Sequence, residues 1–170
     1  MKELLTDYIK YNIWANERIC KVLGSLDPTL LDKEVKSSFN TLRKTVYHIW
    51  GAETIWYQRL HGENPTSFVG DGFNGDFAEF QLEFLQQSGK YFVYIMNATD
   101  RQLYKDLTHT NMKGDKFTNK ICNILQHLVN HSTYHRGQIV TILRRLGVTD
   151  VPSTDYIAYI RGRESEKKKK

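Results

Sequence analysis

The stretch QHLVNHSTYHRGQ, residues 126–138, sets His127, His131 and His135 four residues apart. Four-residue spacing stacks side chains on one face only if the chain here is helical. The surroundings agree: Gly147 supplies a helix stop and Pro152 prevents immediate resumption, so the spacing predicts a long helix over residues 118–146. Along its axis neighbours four apart are separated by about 6 Å, whereas His127 and His135 stand about 12 Å apart. One adjacent pair can therefore grip a metal ion, either His127/His131 or His131/His135, and the spacing does not choose. Taken singly, each histidine reads more readily as a hydrogen-bonded structural residue.

Working outward, three more helices of similar length are expected. Residues 2–23 place Leu5, Tyr8, Ile9, Ala15, Ile19, Val22 and Leu23 at helical spacings before Gly24 and the Asp27-Pro28 turn. A second helix begins near Ser38 or Asn40, both good N-caps, and runs to about His61 with the apolar stripe Leu42, Ile49, Ala52, Trp56 and Leu60. HGENPTSFVGDGFNG, residues 61–75, then holds four of the 11 glycines and breaks the helix. A third helix follows over residues 76–97. Lys113-Gly114-Asp115 reads as a tight turn between two short strands, and STDYIAYIR suggests a final short helix capped by Ser153 or Thr154. The expected fold is all-α: a four-helix bundle with a small β-hairpin before the last long helix. Residues 1–160 read as one domain and residues 161–170 as a basic, disordered tail.

Composition narrows the function classes. With 170 residues, 40% hydrophobic and 25% charged, the chain can bury a full core without metal or disulfide staples. Residues 161–170 hold six Lys/Arg against two Glu, a net +4 of the chain's +5, so the remainder carries only +1. That is a solvated terminus rather than a nucleic-acid surface. Cys20 and Cys122 belong to no CxxC pair and read as reduced, packed cysteines. No apolar run approaches the ~18 residues of a membrane span, and MKELLTDYIK lacks a signal core, so a cytoplasmic protein is expected.

A helical pair leaves a metal under-coordinated, since a catalytic zinc site typically has three protein ligands plus a water. His61, at a glycine-bounded helix end, and His109, in the hairpin, are expected to be exposed. His48 differs: it lies mid-helix beside the Leu42/Ile49/Trp56 stripe and can point into a bundle interior. On the residues alone, His48 plus one helical pair competes evenly with a purely structural role.

NHSTYHRGQI, residues 130–139, together with TVYHIWGAETIWYQRL, residues 45–60, resembles the DinB family of metalloenzymes. The HxxxHRGQ element, the upstream pattern of His48, Glu53 and Trp56, and the ending GVTDVPSTDYIAYIR carry the likeness over nearly the whole chain. It implies an up-down-down-up four-helix bundle, usually dimeric, with a divalent metal between helices on three histidines. Carried over by position, the ligands are His48, His131 and His135, and His127 becomes their neighbour. Relatives include thiol-dependent S-transferases and isomerases, so no substrate follows.

The remaining expectations are physical. Glu53 stands five residues after His48, about 140° round the helix, and pairs with an arginine or a hydroxyl rather than with the ion. Arg136 pairs with an acidic group, Gln138 is a polar boundary residue, Gly137 serves helix packing, and Tyr134 and Trp50 are core or pocket wall. A neutral three-histidine shell leaves the ion's charge uncompensated and lowers the pKa of bound water or thiol. The leading expectation is S-transfer from a low-molecular-weight thiol to a small electrophile. The alternatives are a metal-dependent hydrolase and a non-catalytic metal-binding dimer. Zinc, nickel, iron and manganese are all candidates for the ion. Ten Tyr, eight Phe and three Trp exceed what one small core hides, so a homodimer is expected.

Overall fold

The computed structural model describes residues 1–167. Four long helices build it: α1 (Lys2–Gly24), α3 (Leu42–Leu60), α4 (Phe77–Asn97) and α6 (Ile121–Arg145). Shorter elements join them: α2 (Pro28–Leu31), a 3-10 turn over Val69–Gly72, α5 (Asp100–Leu103), strands β1 (Asp106–Thr110) and β2 (Lys116–Lys120), and α7 (Tyr156–Lys167).

The direction of each helix follows from which ends share a core. One apolar cluster joins Leu5 and Ile9 of α1, Leu60 of α3, Tyr91 and Ile95 of α4, and Ile121 to Val129 of α6. The other joins Ile19 and Leu23, Leu42 and Val46, Phe80 and Phe84, and Ile139 to Leu143. The start of α1 therefore lies beside the ends of α3 and α4 and the start of α6, which is the up-down-down-up order. α1 packs against α4 and α6, and α3 against α6 and α4. Because α3 and α4 run parallel, residues 61–76 must cross the full length of the bundle between them.

Local chemistry sets the boundaries. Thr41, not Ser38 or Asn40, caps α3, its hydroxyl accepting from the Lys44 amide at 3.1 Å. Asn40 instead binds Glu34, and Ser38 accepts from Gln138. Asp76 and Glu79 form a reciprocal capping box that starts α4. α6 begins at Ile121 rather than at residue 118, because Thr118 and Asn119 are still paired with Thr108 and Leu107 in the hairpin. Gly114 takes φ +88° in the hairpin turn and Gly147 φ +86° at the end of α6, conformations that favour glycine. Gly137 is exposed and a Cβ there would meet nothing within 4 Å, so the packing role expected of it is absent. The stretch expected as a disordered tail is helical through Lys167, and residues 168–170 lie outside the described residues.

Between the two apolar clusters lies a buried polar layer to which all four long helices contribute. Glu53 of α3 accepts from Asn12 (2.8 Å), Asn16 (3.0 Å), Ser88 (2.6 Å) and Ser132 (3.3 Å). The same two asparagines accept from Arg136 Nη1 at 2.7 and 2.8 Å, and Thr133 Oγ1 accepts from Arg136 Nη2 at 2.8 Å. Glu53 thus pairs with hydroxyls and amides, and the acidic partner expected for Arg136 is reached only through Asn12 and Asn16. Burial pushes the Glu53 carboxyl up, opposed by those donors and by the Arg136 charge.

Candidate metal centre

The adjacent residue, His135, turns the other way. From α6, His135 and His131 face α3, where His48 meets them. His131 Nε2 lies 3.1 Å from His48 Nε2 and 3.1 Å from His135 Nε2. All three nitrogens fall within 4.8 Å of one another, and no carboxylate joins the set among the described residues. Packing of α3 on α6 produces this, because one side chain from the first half of α3 meets two from the middle of α6.

Three ring nitrogens converging on one point is a poor arrangement for neutral imidazoles, each of which has one N–H and one lone pair. Here the tautomer of His135 is set from outside. Its Nδ1–H donates to Gln138 Oε1 at 2.8 Å, leaving the Nε2 lone pair to face the cluster. Gln138 in turn donates to Ser38 Oγ at 3.2 Å, so it orients the His135 ring rather than merely marking a polar boundary. Burial, then the His135 charge, pushes His48 down to about 4. Burial and the charges of His135, His48 and His127 push His131 down to about 3. The histidines are therefore neutral at neutral pH, and each can offer one ring lone pair, a donor set that fits a divalent cation.

His127 stands apart. Its ring lies 5.8 Å from that of His131 and packs edge-on against Trp56 at 5.5 Å. Of the two pairs open on spacing, only His131/His135 brings its Nε2 atoms together with His48. His61 is exposed as expected, but His109 is buried (5% exposed), a correction to the expected exposure. It occupies the one buried position of β1 and lies 4.9 Å from Trp56.

His48 opens on a cavity of about 370 Å³ lined also by Phe39, Arg43, Tyr47, Phe68 and Gly70, among others. That size suits a small-molecule ligand. Phe39 stacks on His48 at 4.3 Å and lies edge-on to His135 at 5.6 Å. Phe68, from the long crossing connection, packs on Gly51, where a Cβ would come within 2.7 Å of its ring. Neither phenylalanine stood out in the sequence, since both sit in loops where periodicity says nothing. Trp50 is core (2% exposed), whereas Tyr134 is 63% exposed and only touches His135 edge-on at 5.0 Å.

Fold and site together define a four-helix bundle carrying a three-histidine cluster of metal-ligating geometry between two antiparallel helices. The DinB family model matches residues 1–169, and the chain belongs to the DinB family. It is 26% identical to Protein DinB of Bacillus subtilis (strain 168) over 174 residues, 98% of this chain and 99% of that protein. Two solved structures share its fold. YfiT from Bacillus subtilis is described as "a probable metal-dependent hydrolase with an unusual four-helix bundle topology". It matches with a TM-score of 0.67 at 16% identity, covering 88% of this chain and 91% of YfiT. A DinB-like protein from Bacillus cereus ATCC 10987 matches with a TM-score of 0.61 at 20% identity, covering 85% and 91%. Among the described residues no helix is long and apolar enough to cross a membrane.

Proposed function

We propose that this chain is a metal-dependent enzyme in which His48, His131 and His135 hold one divalent cation at the wall of an aromatic pocket. The observation that carries the reading is the convergence of three Nε2 atoms within 4.8 Å beside that cavity. When bound, the ion supplies Lewis acidity and lowers the pKa of a thiol or water brought to it. Side chains do the rest. Gln138 keeps the His135 lone pair aimed inward. Phe39 and Phe68 flank His48. Arg43, held by Asp32 at 2.8 and 3.0 Å, keeps a fixed positive charge on the pocket wall.

Glu53, five residues from His48, is consumed by its four donors and cannot serve as a general base. A nucleophile that ionises without a base suits such a site, which favours a small thiol attacking a small electrophile held against Phe39 and Phe68. Hydrolysis is the second reading, favoured by the description of YfiT. Cobalt-substituted protein separates them. A small thiol should produce a sulfur charge-transfer band near the ultraviolet, and His135→Ala should abolish it. If no thiol alters the spectrum while an ester or amide is turned over, hydrolysis replaces the thiol reading. If neither occurs, the protein binds metal without catalysis.

We also propose a homodimer formed through the outer face of α4. Ala78, Leu82, Leu85, Gly89, Phe92 and Met96 recur there at alternating spacings of four and three, and Leu82 and Met96 are more than half exposed. Antiparallel self-pairing sets small against large, Ala78 to Met96 and Gly89 to Leu85. It also brings Glu79 and Glu83 of one copy towards Lys90 of the other and the Lys10 that overlies Phe92. Sedimentation equilibrium should give a dimer for the parent chain and a monomer for Leu82→Glu. A monomeric parent at micromolar concentration counts against the dimer.

A further inference from the structure

The cavity beside His48 has walls of two origins. Phe39 and Tyr47 come from the start of α3 and the residues before it, whereas Phe68 and Gly70 come from the crossing connection. That connection is pressed against the helix at two glycines. Gly51 is buried in the middle of α3, where glycine weakens the helix, and a Cβ there would come within 2.7 Å of the Phe68 ring. The three atoms nearest to that Cβ all belong to Phe68. Gly70 lies over Tyr47, where a Cβ would stand 3.4 Å from the side chain. Phe68 is thereby held at a fixed depth, its ring 5.9 Å from that of His48.

The charged side chains of the lining each have a partner already. Arg43 donates to Asp32 at 2.8 and 3.0 Å, Lys44 to Asn40 at 3.1 Å, and Asp71 accepts from the Phe68 amide at 3.3 Å. What remains for recognition is ring surface, from Phe39, Tyr47 and Phe68. Aromatic rings attract a flat π-system in offset or edge-on contact beyond the gain from its apolar area. A saturated ring of the same size receives the area alone.

We propose that Phe68, seated on Gly51, is the specificity-determining side chain of this pocket, and that the substrate presents to it an aromatic or other flat π-bonded group. The inference rests on the reading of the three histidines as a metal centre, and it holds for thiol transfer and hydrolysis alike.

Hydroxamates bind a metal through their own oxygens whatever the native reaction, so they probe the pocket directly. Acetohydroxamate, benzohydroxamate and cyclohexanecarbohydroxamate are titrated into the cobalt-substituted protein and followed in its visible spectrum. Benzohydroxamate should bind about five-fold tighter than its saturated counterpart. Phe68→Leu should bring the two level while leaving acetohydroxamate unchanged. Gly51→Ala should weaken benzohydroxamate relative to acetohydroxamate in the parent chain but not in Phe68→Leu, because the added methyl meets that ring first. An equal or reversed preference in the parent chain, or one that survives Phe68→Leu, overturns the proposal while the metal centre stands. If acetohydroxamate leaves the spectrum untouched, the metal-centre reading falls, and the metal-free protein decides on the pocket. There the fluorine resonance of 4-fluorobenzyl alcohol should broaden with the parent chain and stay sharp with Phe68→Leu. Equal line widths with both proteins overturn the pocket as well.

Discussion

His135 and Arg136 are consecutive residues of α6, and they enter two different polar interiors. Arg136 turns inward to a layer where four helices meet: asparagines accept from the guanidinium and donate to Glu53 Oε1, and Ser88 takes the other carboxylate oxygen. His135 turns towards α3 and meets two groups of its own kind, 3.1 Å away or linked through one that is. The first region pairs donors with acceptors, with only the Arg136 Nε–H left unmatched. The second sets three ring nitrogens of one kind against one another, an arrangement that a cation would complete. Burial alone does not mark a functional site; what matters is whether the buried groups complement each other.

The sharpest way to break the first region is to remove one side of it. Glu53→Ala or Arg136→Met should cost about 3–5 kcal/mol in chemical denaturation, because each strands buried partners. Replacing both with apolar residues should recover part of that loss; a double variant as unstable as the sum of the singles would mean the two sites do not communicate through Asn12 and Asn16. In the second region the outcome inverts. His131→Ala should abolish stoichiometric metal binding by equilibrium dialysis yet leave the metal-free fold intact, whereas His127→Ala should weaken binding about ten-fold or less. Equal losses in the two variants would move the ligand pair to His127/His131.

Acidification sharpens the contrast further. The unfolded chain's histidines take up protons near pH 6.5, but folded His48 and His131 resist until about 4 and about 3. Stability of the metal-free protein should therefore fall as pH drops from 6.5 towards 4, a trend that thermal melts would follow and that His131→Ala should flatten. The smallest effect is expected at Gln138. Its alanine variant frees the His135 ring to change tautomer and should weaken metal binding about ten-fold without lowering the melting temperature of the metal-free chain.

Much of this was legible in the residues. Apolar spacing located all four long helices, and the family likeness selected His48, His131 and His135 from a ladder whose spacing left two pairs open. The misses have physical causes. His109 was expected to be exposed because a five-residue strand gives too little pattern to show which face the hairpin buries. Asn12 and Asn16 carried a signal that went unused: two amides four apart, set among the apolar residues Ile9, Ala15 and Ile19, mark a polar layer inside a core. Arg59 lay in the last turn of its helix, where a cation ordinarily reads as a dipole partner. Its burial in the folded chain is something that reading does not contain.

Phe68 reaches His48 only because α3 and α4 run in the same direction, which obliges residues 61–76 to return along the bundle's length. Ligand geometry and pocket shape are thereby written into separate parts of the chain, one in rigid helices and the other in a crossing strap. The strap is seated at Gly51 by Phe68 and against Trp50 by Phe73, and tied at its start where Asn64 accepts from Thr110. A lineage can rewrite the strap's residues and so exchange the substrate it admits, while every histidine keeps its place.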